Sequence, residues 1–243
     1  MTAIGIIPAR YGSTRLPGKV IMPIRGYPMI HHVHQQARQC ASLSRILVAT
    51  DSDLVADTAS RLGMEVILTS DDHQSGTDRV AEVARQFNDE IIVNIQGDEP
   101  QLDPTLVDNL VGLLEEHPDI NIGSAGSTAL TAAEWSQPNV VKVVVKDQQA
   151  VAFYRQLPDV LPEGEILRHV GLYAYRNKFL QTFSATPPSP AELELGLEQL
   201  RAMEMGEPIG MITCDYRAVA VDTRADWERL QIDRPDVGRR TGE

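Results

Sequence analysis

Four short runs dominated by apolar residues, at 4–7, 45–50, 65–68 and 91–95, alternate with stretches whose apolar residues recur at helical spacing, and the loops between them are short. Runs of this length without polar alternation suit strands buried on both faces, and strands separated by single helices are joined in parallel. The rhythm predicts an α/β fold, a mainly parallel, doubly wound sheet flanked by helices. Helices are expected over residues 28–39 and 53–62, the second closed by Gly63, from Ser75 onward, and from Asp103 and Pro104 to residue 116. From residue 140 the pattern changes. Residues 140–145, 150–154 and 170–175 read as strands without full helices between them, so residues 140–190 are expected to form a small β-rich insertion that leaves the main sheet and carries a second substrate or a subunit interface. A helix from Ser189 and Pro190 through Glu204, strands at 209–213 and 218–221, and a last helix capped by Thr223 and Asp226 complete one domain over residues 1–232, with a polar, flexible tail at 233–243.

The 243 residues carry a formal net charge of −12, which repels nucleic acid, and no basic stretch interleaved with aromatics offsets it. No run approaches the roughly 18 apolar residues of a membrane helix, and no basic segment followed by an apolar one opens the chain, so a cytoplasmic protein without a membrane partner is expected. Cys40 and Cys214 are the only cysteines and fit neither a zinc site nor a disulfide framework, which leaves reduced core thiols. His31 and His34 share a helical face without a carboxylate neighbour and are expected to pack rather than bind metal.

Against this acidic background, the first strand runs into Pro-Ala-Arg-Tyr-Gly-Ser-Thr-Arg-Leu-Pro-Gly-Lys, residues 8–19. Arg10, Arg15 and Lys19 concentrate positive charge there, Gly12 and Gly18 let backbone N–H groups approach a ligand, and Ser13 and Thr14 add hydroxyl donors. A triphosphate is the expected ligand. Lys19 is followed by Val20, so this is not a Walker A loop. A second loop, residues 73–79, opens a helix. Ser75 with Asp78 can cap it, but capping leaves Gly76 and Arg79 unexplained, and free N–H groups at a helix start can read a base edge. The fourth apolar run, residues 91–95, ends in Gln96-Gly97-Asp98-Glu99-Pro100. Carboxylates at such a strand end are ligands for Mg²⁺, and Asp98 is the first candidate. Asp222 is left over from the capping of the last helix and joins Asp98 on the same ion if strand 218–221 returns to the sheet. In Arg168-His169-Val170-Gly171-Leu172-Tyr173-Ala174-Tyr175, alternation puts His169, Gly171, Tyr173 and Tyr175 on one hydrogen-bonding face. Glu198, Arg201 and Met205 share a helical side expected to be a solvated flank.

Taken together, IPARYGSTRLPGK, VATD, HQSGTDR, IVNIQGDEP, PNVVKVV, RHVGLYAYR, LEQLRAMEMGE and VDT resemble, in their order, the 3-deoxy-manno-octulosonate cytidylyltransferase (CMP-Kdo synthetase) family. The resemblance implies a nucleotide-diphospho-sugar transferase type fold, a homodimer, and transfer of CMP from CTP to the anomeric hydroxyl of the acidic sugar Kdo with release of pyrophosphate, for lipopolysaccharide or other surface-glycan synthesis. It implies that Arg10 and Lys19 hold the CTP phosphates, that residues 75–79 and Gln96 lie in the nucleotide and sugar pocket, that Asp98 and Asp222 ligate Mg²⁺, and that His169, Tyr173, Glu198 and Gln199 fall at the sugar. The connection over residues 156–167 is shorter than the family's and contains no arginine between Arg155 and Arg168, so Arg155 or Arg168 is expected to replace the usual basic contact to the sugar acid. A CTP-dependent paralogue for another acidic sugar or small acid, and a non-catalytic nucleotide-binding paralogue, are the alternatives. The presence of Lys19, Asp98 and Asp222 together speaks against the second.

Overall fold

A nine-stranded sheet organises the computed structural model, which describes residues 2–13, 16–217 and 220–232. In chain order the elements are β1 Ala3–Pro8, β2 Pro23–Ile24, β3 Tyr27–Pro28, α1 Met29–Ala37, β4 Leu43–Thr50, α2 Asp53–Arg61, β5 Glu65–Leu68, α3 Gly76–Ala84, β6 Ile91–Asn94 and α4 Pro104–Glu116. There follow β7 Ile122–Ser127, β8 Lys142–Lys146, β9 Gln149–Tyr154, β10 Glu165–Arg176, α5 Asn177–Ala185, α6 Pro190–Leu195, α7 Gln199–Glu204, β11 Ile209–Cys214 and α8 Arg224–Ile232. The sheet order is β5-β4-β1-β6-β10-β7-β11-β9-β8, and β2 and β3 form a separate hairpin. β1 is parallel to β4 and β6, and β4 to β5, as the apolar runs predict. Helices cover both faces. On one, α4 buries Leu106, Val107, Leu110, Val111, Leu113 and Leu114, at about 1.5–3 kcal/mol for each fully buried side chain, in a core shared with α1 and α2. On the other, α3 and α5 pack Val80, Val83, Phe179 and Phe183 under the same strands. No helix among the described residues is long and apolar enough to cross a membrane.

Three expectations need correction. The β-rich segment does not leave the main sheet as a unit. β10 runs twelve residues; its second half lies between β6 and β7, antiparallel to both, while its first half pairs with β8. Val170, Leu172 and Ala174 feed one core and Tyr175 the other, so this stretch is most stable inside a sheet covered on both faces. Second, the helix expected from Ser189 to Glu204 is two helices broken at Gly196, whose φ of 60° is left-handed. Arg201 on α7 is buried and ion-paired to Glu192 at 2.5 Å, so this side is not a solvated flank. Third, Ala220 and Val221 belong to no strand; residues 218–219, like the tail at 233–243, lie outside the described residues.

β7 was not expected from the sequence. Its Ile-Gly-Ser-Ala-Gly-Ser is wholly buried yet nearly free of bulky side chains. A Cβ on Gly123 would stand 2.8 Å from Leu114 and one on Gly126 2.7 Å from Leu167, so the strand's smallness admits neighbours that supply the apolar mass.

Candidate active site

The loops after β1, β5 and β6 meet at the C-terminal edge of the parallel strands, where open α/β sheets bind ligands. Gly97 makes the meeting possible. A Cβ there would lie 2.8 Å from the Pro8 carbonyl oxygen, so the β6 loop can close on the end of β1 only with glycine. Between these loops is a cavity of about 280 Å³. Arg10, Ser13 and Lys19 border it from the first loop, Ser75, Gly76 and Arg79 from the second, Gln96 and Asp98 from the third, and Glu198 and Asp222 from the C-terminal third of the chain.

Lys19 is the centre of this arrangement. Gly18, at φ 69°, donates its N–H to the Tyr11 carbonyl at 2.8 Å and starts a helical turn over Lys19–Ile21 that turns the lysine across the cavity. The ammonium lies 2.5 Å from Asp98 Oδ2 and 3.3 Å from Asp222 Oδ1, and donates to the Val221 carbonyl at 3.1 Å. Two carboxylates from distant parts of the chain thus converge on one positive nitrogen. Asp222 arrives there although no strand carries it: Val221 donates its N–H to the Asp98 carbonyl at 2.9 Å, which docks the segment directly on the β6 loop.

The second loop is held from both sides. Ser75 Oγ accepts the Asp78 N–H at 3.1 Å, as the capping reading expects, while the Asp78 carboxylate accepts from Ser184. Arg79 borders the cavity with its guanidinium on Asp51 at 2.6 Å, on the Ser70 carbonyl at 3.3 Å and on the Thr69 hydroxyl. The sequence reading passed over His73, which borders the cavity and is bonded to Glu82. Burial alone would raise the Glu82 carboxyl, but hydrogen bonds from His73 and Ser70 outweigh it and hold its pKa below the ordinary value. The signal was available, since His73 and Glu82 flank the first turns of α3.

Glu99 and Asp98 divide. Asp98 faces the cavity, whereas Glu99 turns into the protein, where burial, reinforced by Asp98 and opposed by Arg168, pushes its carboxyl up to about 8. Glu198 borders the cavity with its pKa raised by burial, against a hydrogen bond from Thr77.

Of the residues assigned to the sugar by resemblance, Gln96 and Glu198 border the cavity. His169, Tyr173 and Gln199 do not line the cavity. His169 is bonded to Ser124 Oγ at 3.0 Å and packs edge-on to Phe153 and tilted against Tyr173; burial lowers its imidazole to about 4, so it is neutral at pH 7. The Tyr173 hydroxyl is pushed up by burial and then by Tyr175 and Glu198. Gln199 is buried with its Nε2 lacking a partner among the described residues. The guanidinium of Arg155 is held by backbone carbonyls, those of Leu195, Pro138 at 3.1 Å and Gly196 at 3.0 Å. Gly12 is exposed and does not line the cavity, and Arg15 lies outside the described residues.

A family model described as cytidylyltransferase matches residues 4–209. The chain is 39% identical to the 3-deoxy-manno-octulosonate cytidylyltransferase of Geobacter sulfurreducens over 95% of this chain and 98% of the relative. It is 41% identical to the protein of the same name from Solibacter usitatus, over 93% and 92%. The chain belongs to the 3-deoxy-manno-octulosonate cytidylyltransferase family. Its fold superimposes on a solved CMP:2-keto-3-deoxy-manno-octonic acid synthetase complexed with CTP with a TM-score of 0.89 and 39% identity, covering 95% of this chain and 97% of that one. A 4-diphosphocytidyl-2C-methyl-D-erythritolsynthase from Anaerococcus prevotii, 12% identical with a TM-score of 0.63 over 95% and 96%, shares the fold alone. Membership of a cytidylyltransferase family accounts for a local concentration of cations in so acidic a chain, because the family's chemistry is the handling of phosphates.

Proposed function

We propose that this protein transfers the cytidylyl group of CTP to the anomeric hydroxyl of 3-deoxy-manno-octulosonate and releases pyrophosphate. The observation that carries the reading is the convergence of Asp98 and Asp222 on Lys19 in a cavity that also holds Arg10 and Ser13. The pair fits Mg²⁺: two carboxylate oxygens already face one cationic centre, and Mg²⁺ is commonly held by one or two carboxylates together with substrate phosphates and water. Asp98 and Asp222 would hold it, and the ion would supply charge stabilisation on the reacting phosphate.

Arg10, Ser13 and Lys19 bind the triphosphate and balance its charge. The N–H groups at the start of α3, behind Ser75 and Gly76, face the base. Gln96 and Glu198 orient the acceptor. The acceptor oxygen bonds to the α-phosphorus as its proton leaves, and the bond from that phosphorus to the bridging oxygen breaks, with the electron pair departing on pyrophosphate. Such a transfer asks the protein for in-line positioning and fixed positive charge more than for covalent chemistry. The family resemblance supports a homodimer acting in the cytoplasm, and the net charge of −12 speaks against a nucleic-acid partner.

A second reading, another acidic sugar as acceptor, is favoured by one observation: Arg155, one of the two arginines expected at the sugar acid, has its guanidinium on three carbonyls. A pyrophosphate-release screen of sugar acids with CTP and Mg²⁺ tests both. Turnover highest with 3-deoxy-manno-octulosonate is expected. A preference for a different sugar acid supports the second reading, and CTP binding without release by any acid refutes the transferase reading.

A further inference from the structure

Asp222 reaches the cavity on a segment anchored at both sides by contacts outside the main sheet. Upstream is the bond from Val221 to the Asp98 carbonyl. Downstream, Asp226 Oδ2 accepts the N–H groups of Asp222 at 3.3 Å and Thr223 at 2.9 Å, and Asp226 returns its own N–H to Thr223 Oγ1 at 3.2 Å, which starts α8. α8 lies on the β2–β3 hairpin. The Trp227 indole N–H and the Gln231 amide both donate to the Pro23 carbonyl, at 3.0 and 2.6 Å, and Gln231 Oε1 accepts the Arg25 N–H at 3.2 Å. Leu230 and Val221 are buried with Ile24 and Met29 in a cluster separate from the two main cores, with Leu16 and Trp227 packed against it. The hairpin follows directly on the helical turn that presents Lys19. The same small cluster therefore connects the segment bearing the lysine with the segment bearing the second carboxylate.

We infer that α8, docked on the β2–β3 hairpin, is a clamp that sets the Asp222 carboxylate against Asp98 and Lys19 and thereby sets the cation affinity of the site, with Trp227, Leu230 and Gln231 as its positioning residues. The inference rests on reading Asp98 and Asp222 as cation ligands. A carboxylate on a segment without a strand beneath it takes its position from the anchors on either side as well as from its own contact with Lys19, and removing an outer partner of a metal ligand typically costs about 10- to 100-fold in metal affinity or activity. None of the three clamp side chains lines the cavity.

The test uses the full chain with CTP and no acceptor, Mn²⁺ as the probe, and water-proton relaxation to measure bound ion, with hydrogen exchange reporting whether α8 is docked. Leu230→Asp is expected to lose amide protection in α8, to keep the main cooperative melting transition and CTP binding without metal, and to bind Mn²⁺ at least about tenfold more weakly. Gln231→Ala should shift affinity the same way by less. Wild-type Mn²⁺ affinity in a Leu230→Asp protein whose α8 has lost protection overturns the inference. If that variant misfolds or keeps its protection, Gln231→Ala decides, and wild-type affinity there overturns it equally. Asp222→Asn separates the two levels. Unchanged Mn²⁺ affinity in Asp222→Asn removes the cation reading and the clamp with it, whereas weakened binding in Asp222→Asn beside unchanged binding in undocked Leu230→Asp removes the clamp alone.

Discussion

Val221 donates its backbone N–H to the carbonyl of Asp98 at 2.9 Å, and this one bond joins the loops that bear the two cavity carboxylates. If both carboxylates hold Mg²⁺, Asp98→Asn and Asp222→Asn should each lower kcat by at least about a hundredfold, given several kcal/mol of metal-based stabilisation. Steady-state pyrophosphate release at saturating CTP measures this. Near-normal turnover in either variant excludes that residue as a ligand.

Lys19 stands at 2.5 Å from Asp98 and 3.3 Å from Asp222. Lys19→Ala should reduce kcat/KM by about 2 to 4 kcal/mol of transition-state stabilisation, the scale of one preorganised donor, while the protein still melts cooperatively, because the side chain fills no part of the main cores. Loss of cooperative melting would make Lys19 a structural residue.

Lys142 is fully buried and donates to the carbonyls of Gln137 at 3.0 Å, Val140 at 2.8 Å and Arg155. Arg155 in turn holds the Leu195–Gly196 break that precedes Glu198. A variant Lys142→Met leaves three acceptors without this donor, at about 1–3 kcal/mol for each that stays unpaired, and should show a large loss in denaturant stability. Arg155→Lys tests whether these contacts bear on the acceptor. A compact ammonium does not reproduce the planar fork with which the guanidinium reaches the Leu195, Pro138 and Gly196 carbonyls, so the KM for the sugar acid should rise about tenfold while that for CTP holds, a loss near 1.4 kcal/mol. Unchanged KM for the sugar acid would mean that a single cation suffices at this position.

Burial, followed by the adjacent Asp98, raises the Glu99 carboxyl from its ordinary 4.5 to about 8. Between those values the folded protein holds a proton that the unfolded chain releases, so the stability this group contributes is present below the ordinary value and is lost as pH rises through the folded one. Glu99→Gln, neutral throughout, should lack the decline. The variant is expected to gain stability over wild type steadily between about pH 5 and pH 8 in urea titrations. Parallel stability profiles for the two proteins would show that Glu99 ionises normally.

Much of the fold was legible because parallel strands buried on both faces leave continuous apolar runs. The helix starts at Ser75 and Asp103 were legible because caps are local, each made by one side chain and an N–H two or three residues away. The cations and carboxylates of Arg10, Lys19 and Asp98 could be read at strand ends for the same reason. β7 escaped because its small residues borrow their apolar environment from α4 and β10, which no window of sequence contains. β10 was misplaced because a strand's partners depend on sheet order: beside β7 along much of its length, it pairs with β8 at its start and with β6 at its end. Capping and motif could single out Asp222 as unexplained, but its place beside Lys19 follows from one backbone bond to Asp98 and from a helix docked on a hairpin at the other end of the chain. The residue types and the local geometry of the site are sequence properties, set by strand ends, glycines and caps. The convergence of its charges belongs to tertiary structure, because it depends on packing between segments that meet only after the sheet has formed.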